Sequence, residues 1–434
     1  MRHPKSENGD PGRDGAALLG PRLGGLLERA RKVFEECPDD SLARVTRLRE
    51  LLPEAEARAA VELFVARERA AGKLPEPERW WLTRRGLEQS SHERVARWRA
   101  RRVAQRLPEG ARFHDATCGM GMDALAMLEA GAALGLRMVA SDLSPITAGL
   151  AARNLAAFGW PGRVVCADAT RAAVDGDFAL FDPDRRTGQG GEERRVVDPR
   201  AGSPPLARLI QRCGELRGAV WKLAPGLHLE GSQELVELAG RTPLEWVSVG
   251  HGRELAETCV LTGELAEVAG RRSAVVLREG LQANFSSTDP DPELTALDAQ
   301  ELDDLAWIAI PHPALTGARL LGTAGEAIGA RPLGPGLGWF GSCGDGDGPP
   351  PAGEQGPFWR HYRVLDSAPA DRKRIRALLA RHAIGPLQVL TRGHSEAASS
   401  LERRFSSAKG KKGTLLVART TWGRRAYLAE QAKR

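Results

Sequence analysis

Four aspartates, Asp115, Asp142, Asp168 and Asp182, each close a short, mainly apolar run in the middle of this 434-residue chain. After the first comes Thr117-Cys118-Gly119-Met120-Gly121, and an apolar helix is expected to begin near Met122. Glycines in such a turn let backbone approach a ligand where a Cβ would collide. The helix start contributes unpaired N–H groups and the positive end of its dipole. Asp142 would then meet a ribose hydroxyl, and Asp168 could accept a hydrogen bond from an adenine amino group. This is the chemistry of a nucleoside-cofactor site.

Two cofactor classes compete for it. Gly119-x-Gly121-x-x-Ala124 fits the dinucleotide fingerprint, which would make the protein a nicotinamide oxidoreductase. Against this, Asp115 stands four residues before Gly119, facing a cationic or amino group. A carboxylate suits the aminoacyl end of S-adenosylmethionine better than a pyrophosphate. A glycine-tightened helix start with no ligand is the bland alternative.

The elements that must position these residues alternate. Strands are expected at 111–115, 137–142, 163–167, 178–182, 218–223, 245–250 and 257–262, with helices at 122–131, 144–158 and 204–214. That is an α/β, doubly wound, Rossmann-like seven-stranded sheet, which binds ligands at the carboxyl edge of its strands. Residues 1–20, rich in Gly, Pro and charge, are expected to be disordered. Residues 21–105 show helical periodicity and form an N-terminal helical region. It ends in a helix whose Arg94, Arg97 and Arg101 share one solvated face. The sheet domain spans 106–275. A connecting region, 276–357, has short helices around 302–310 and a Gly/Pro-rich loop at 341–351. Residues 358–434 read as a small basic α+β domain.

Bulk properties narrow the function. The six cysteines (37, 118, 166, 213, 259 and 343) contain no Cys-x-x-Cys, so neither a disulfide framework nor a metal site is expected. No apolar run reaches the roughly 18 residues of a membrane span, and the expected location is cytoplasmic. Net charge is +6. Residues 371–434 alone carry 16 Lys/Arg against 4 Asp/Glu, so the rest of the chain is acidic. A basic end on an acidic body suggests a polyanionic partner.

Asp115-x-x-x-Gly119-x-Gly121, with Asp142 and Asp168, resembles the cofactor motifs of class I S-adenosylmethionine-dependent methyltransferases. The resemblance implies S-adenosyl-L-methionine as cofactor. Asp115, Gly119 and Gly121 would lie near its methionyl part, Asp142 on the ribose and Asp168 by the adenine. Thr117, Cys118, Leu143, Ala169 and Asp182 complete the expected set. Asp182-Pro183-Asp184-Arg185-Arg186 is similar to the Asp/Asn-Pro-Pro-aromatic motif with which amino-methyltransferases hold a target nitrogen in line. It departs from that motif in Asp184 and Arg185. A guanidinium can stack on a base or clamp a phosphate, so the expected catalytic residues are Asp182, Pro183, Arg185 and Arg186.

Further segments look like a bacterial methyltransferase family with a C-terminal THUMP-like domain. They are 82–90, Lys222-Leu223-Ala224-Pro225-Gly226, 248–257, Arg392-Gly393 and the helix over 401–405. THUMP domains bind structured RNA, so the resemblance implies methylation of tRNA or rRNA. In the basic domain the candidate phosphate contacts are Arg392, Arg403, Arg404, Lys409, Lys411, Lys412, Arg424 and Arg425. Lys222, Glu254 and Glu257 either line the substrate cleft or form structural ion pairs. The competing readings are a small-molecule or protein methyltransferase and a non-catalytic RNA-binding protein that keeps the cofactor fold.

Overall fold

The computed structural model describes residues 11–20, 23–37, 40–171, 176–183, 186–187, 194–195, 203–211, 216–225, 227, 232–343 and 353–432. They divide into two units, Met1–Glu245 with Cys259–Ala269, and Trp246–Thr258 with Gly270–Arg434.

The first unit starts with helices α1 (Pro11–Leu18), α2 (Leu23–Glu36), α3 (Ser41–Leu51), α4 (Glu54–Ala70), α5 (Arg84–Gln89) and α6 (Glu93–Ala104). Side-chain caps set two of the starts: Asp40 accepts from the N–H groups of Leu42 and Ala43, and Thr83 from that of Gly86. Val33, Phe34, Leu48, Leu52 and Ala60 form the buried core of α2 to α4. Strands and helices then alternate: β1 (Arg112–Asp115), α7 (Met122–Gly131), β2 (Arg137–Asp142), α8 (Pro145–Ala157), β3 (Val164–Cys166), β4 (Phe178–Phe181), α9 (Leu206–Gln211), β5 (Gly218–Leu223), α10 (Gln233–Ala239), β6 (Leu244–His251) and β7 (Glu254–Gly263).

The strand order is β3-β2-β1-β4-β5-β7-β6, and this unit holds residues 244–245 of β6 and 259–263 of β7. β3, β2, β1, β4 and β5 run parallel. Phe178, Ala179, Leu180 and Phe181 are all buried, as both faces of a parallel sheet require. Chain order reverses at β1, whose neighbours are β2 and β4, and ligands bind such a sheet at that switch point.

One expectation for this unit fails. Within 1–20, residues 11–18 are helical rather than disordered. Leu18 is buried, and Arg153 of α8 donates to the carbonyls of Leu18 at 2.8 Å and Leu19 at 2.7 Å. Tertiary hydrogen bonds outweigh local composition there; residues 1–10 lie outside the described residues.

In the second unit, residues 246–251 of β6 pair in parallel with β8 (Arg272–Arg278), which forms an antiparallel hairpin with β9 (Leu281–Ser287). Next come α11 (Ala299–Asp303), β10 (Trp307–Pro311), α12 (Pro313–Gly317), α13 (Leu321–Ala327), β11 (Arg331–Pro332), β12 (Phe340–Ser342), β13 (Trp359–Pro369), α14 (Arg372–Arg381), β14 (Ile384–Arg392), α15 (Ala398–Phe405), β15 (Lys411–Thr420) and β16 (Gly423–Gln431). These strands build a second sheet in the order β11-β12-β10-β13-β16-β15-β14.

The segment expected to be helical around 302–310 is therefore helix only to Asp303, and residues 307–311 are strand. Ile308 and Ile310 belong to an apolar cluster with Leu416 and Tyr427, and cross-strand packing decides the conformation. On β15, Leu415 and Val417 face α14 and α15, while Leu416 and Ala418 face that second cluster. Burial on both faces explains the unbroken apolar run of 415–418. No helix among the described residues is long and apolar enough to cross a membrane.

Candidate active site

Register brings the carboxylates to one edge. Asp115 ends β1 opposite Ala140 on β2 and Leu180 on β4, so Asp142 and Asp182 each follow two residues beyond its level. Asp142 is opposite Cys166, and Asp168 follows that strand end in the same way.

The turn after β1 is hydrogen-bonded on every side. Asp142 accepts from Gly119 N–H at 3.3 Å and from Ser144 N–H at 2.9 Å, tying the turn to the end of β2. Cys118 N–H donates to the Ser141 carbonyl at 2.9 Å. Thr117 Oγ1 accepts from Asp182 N–H at 2.6 Å, which fixes the end of β4 against the turn. Gly119 has φ +52° and Gly121 φ +89°, the left-handed region that favours glycine. A Cβ on Gly119 would project into open space.

Asp115 is fully buried. Its Oδ1 accepts from Thr117 N–H at 3.4 Å, and its Oδ2 has no hydrogen-bond partner among the described residues. Burial, reinforced by the nearby Asp123 charge, pushes its pKa up to about 8 against the pull of Lys222. Asp123, in the first turn of α7, behaves in the opposite way. Burial disfavours its ionisation, yet Arg99 and Lys222 together hold it well below the usual carboxylate range. Lys222 Nζ is 2.7 Å from Asp123 Oδ2 and also contacts the Asp182 carboxylate. Arg99 contacts Asp123 from the other side, and Ser91 Oγ donates to it at 3.1 Å. Two cations and two carboxylates thus alternate beneath the turn, Arg99–Asp123–Lys222–Asp182. Burial pushes the Cys118 thiol well above its ordinary pKa, which disfavours the reactive thiolate.

Known proteins match this architecture. Residues 359–431 match the family described as THUMP domain-like. An uncharacterized S-adenosylmethionine-dependent methyltransferase of Mycobacterium tuberculosis is 31% identical over 351 residues, covering 80% of this chain and 88% of that one. The chain belongs to the class I S-adenosylmethionine-dependent methyltransferases. A crystal structure from Porphyromonas gingivalis W83, of a protein assigned as a methyltransferase, shares the fold of this methyltransferase. It has a TM-score of 0.66 at 19% identity, covering 94% of this chain and 99% of the other.

The cofactor of the methyltransferase is S-adenosylmethionine. The residues fit it: an unpartnered buried oxygen on Asp115 suits an ammonium, and the space over Gly119 suits a ligand that a Cβ would displace. Asp168 is held ionised by hydrogen bonds from Thr170 Oγ1 at 2.7 Å and Thr170 N–H at 2.8 Å. Leu143 is exposed and Ala169 buried beside these two strand ends.

Of the other expected site residues, Pro183 is buried after Asp182. Arg186 lies in a two-residue ladder with Arg195, and Arg185 lies outside the described residues. Arg392, Arg403, Arg404, Lys411 and Lys412 are all exposed, but they do not form one patch. β14 and β15 pair in parallel, Ile384 with Lys411 and Arg392 with Ala418, so seven residues of strand separate Lys411 from the level of Arg392. At the strand rise this is roughly 23 Å. Arg404 is paired with Glu396 at 2.6 Å. In the second unit, Glu257 is buried and Glu254 exposed.

Sequence reading missed Arg99 and Asp123. The signal available was an arginine on the buried stripe of α6, with Val95, Ala96 and Val103, and an acid in the first turn after the glycines. The solvated face expected on α6 is also partly engaged. Arg97 pairs with Glu93 at 2.8 Å and Glu129 at 3.1 Å.

Proposed function

We propose that this methyltransferase modifies RNA, with the acceptor placed at Asp182-Pro183 and the nucleic acid docked by the basic C-terminal domain. The observation that carries the acceptor site is the Asp182 carboxylate, held by Lys222 at the strand end next to the Asp115 turn. The THUMP domain-like match over 359–431 and the charge of that region support RNA as the substrate.

Asp115, Thr117, Cys118, Gly119 and Gly121 would surround the methionyl part of the cofactor, Asp142 and Leu143 the ribose, and Asp168 and Ala169 the adenine. Bound there, S-adenosylmethionine supplies an electrophilic methyl group on a sulfonium. Asp182 and the Pro183 carbonyl accept hydrogen bonds from the target group and aim its lone pair. Lys222 fixes the direction of the Asp182 carboxylate, while Thr117 holds its backbone. Arg185 and Arg186 hold base or phosphate. Alignment supplies most of what such a transfer needs, up to about 7–11 kcal/mol in the best intramolecular cases. Five described cysteines, all free, support a reducing cytoplasm.

The test is radiolabelled methyl transfer to RNA purified from cells that lack the gene, followed by mass spectrometry of its nucleosides. Incorporation into one nucleoside is the expected result. Intact cofactor binding with no incorporation into any RNA would overturn the RNA assignment.

A further inference from the structure

The hairpin between β15 and β16 carries the largest exposed aromatic of the described residues. Trp422 is 63% exposed, and its ring makes no ring or cation contact among the described residues. Its tip is nonetheless fixed in shape. Thr420 is buried, its hydroxyl accepts from Trp422 N–H at 3.2 Å and donates to the Gly423 carbonyl at 2.8 Å. Gly334 packs so closely on Thr420 that a Cβ there would lie 3.1 Å from the Thr420 backbone.

Cations frame this indole. Arg419 and Arg424 are direct cross-strand partners at the tip, both exposed, and neither has an acidic partner among the described residues. Like charges placed opposite one another destabilise a hairpin, and an anion bound at such a pair would relieve the repulsion. Arg392 ends the neighbouring strand at the level of Ala418. The three chain segments that meet at this end of the sheet, 333–339, 390–394 and 418–425, contain no Asp or Glu. Residues 403–429 carry eight Lys/Arg and no acid at all. The nearest carboxylate after Arg392, Glu396, is taken up by Ser400 and Arg404.

A rigid, exposed indole set between unpaired guanidiniums is the arrangement that holds single-stranded nucleic acid, with the ring stacking on a base and the cations on its phosphates. We propose that Trp422 stacks on an unpaired nucleotide of the RNA while Arg419 and Arg424 contact its backbone. This rests on the reading that the substrate is RNA, and adds that recognition requires a single-stranded element at this hairpin.

Anisotropy of the full-length protein with a labelled oligo(U) of about 12 nucleotides, and with a duplex RNA of about the same length, tests it. Trp422→Ala should weaken oligo(U) binding about tenfold, Trp422→Phe should restore most of it, and duplex binding should change less than about twofold. Arg419→Ala with Arg424→Ala should weaken both and reduce the salt slope on oligo(U) by about 1.4. Unchanged melting and cofactor affinity show that the variants fold. Oligo(U) binding unaffected by Trp422→Ala, or an equal loss on duplex, overturns the stacking site while wild-type RNA binding keeps the RNA assignment. Wild-type protein that binds neither RNA overturns both.

Discussion

Lys222 Nζ sits 2.7 Å from Asp123 Oδ2, joining the middle of the sheet to the first turn of the helix that follows the glycine turn. The same ammonium contacts Asp182, so one buried lysine joins the start of α7 to the residue that follows β4. Burying charge is tolerated only with partners in place, and removing one partner leaves the others uncompensated.

Lys222→Met should therefore lower unfolding free energy by about 3–5 kcal/mol, measured by chemical denaturation. Adding Asp182→Asn should recover part of that loss, because it removes the carboxylate left without its lysine, whereas Asp123 keeps Arg99. Equal stability of wild type and Lys222→Met would mean the network is not held as described.

Asp115 has a raised folded-state pKa, about 8 against an ordinary value of 3.8. As pH rises through this window the unfolded chain gives up its proton first, so the folded state loses stability between pH near 4 and near 8. Asp115→Asn should melt above wild type at neutral pH, by on the order of 3 kcal/mol, and the two should converge below about pH 4. The variant should also bind S-adenosylmethionine at least about tenfold more weakly, since a nearby cation favours ionisation of the Asp115 carboxyl and an amide cannot ionise. Melting curves across pH, paired with calorimetry, check both; a wild-type affinity would remove Asp115 from the cofactor site.

Gly119→Ala separates backbone strain from ligand space. At φ +52° the substitution should cost about 1–2 kcal/mol in stability, because its methyl meets no protein atom within 4 Å. The methyl should instead displace the ligand and weaken cofactor affinity by about tenfold or more. Calorimetry on the folded variant reads this directly, and unchanged affinity would place the ligand elsewhere.

Alkylation should follow exposure. Cys166 and Cys343 are exposed, whereas Cys118 and Cys259 are buried. Burial also raises the Cys343 thiol pKa, so Cys166 should react first and Cys343 more slowly. Peptide mapping after iodoacetamide should find Cys118 unmodified until the protein is unfolded. Rapid labelling of Cys118 in the native protein would contradict its burial within the turn.

Seven of the nine strands of the first sheet, and the edge that gathers Asp115, Asp142, Asp168 and Asp182, were legible from sequence; the sheet was expected to hold seven. β4 and β5, buried throughout, leave nearly unbroken apolar runs, while β1, β2 and β3 are marked more by the aspartate that ends or follows each. The β8–β9 hairpin and β10 were not legible. β9 mixes polar and apolar residues, and the short apolar runs of β8 and β10 fit a buried helix turn as well as a strand, so only pairing with neighbouring strands shows that they extend. The helix at 11–18 was masked in the same way, because its stabilising partner Arg153 is distant in the chain.

Local chemistry thus determined the sheet, the glycine turn and the acidic strand ends, since each depends on residues within one or two turns of chain. Tertiary structure alone decided that Arg99, Asp123, Asp182 and Lys222 form one buried network. Those residues converge only after parallel crossovers, and nothing in their spacing marks the meeting. It also decided which cations lie together. Parallel pairing of β14 with β15 carries Lys411 and Lys412 away from Arg392, and the turn into β16 brings Arg419, Trp422 and Arg424 to the Arg392 end.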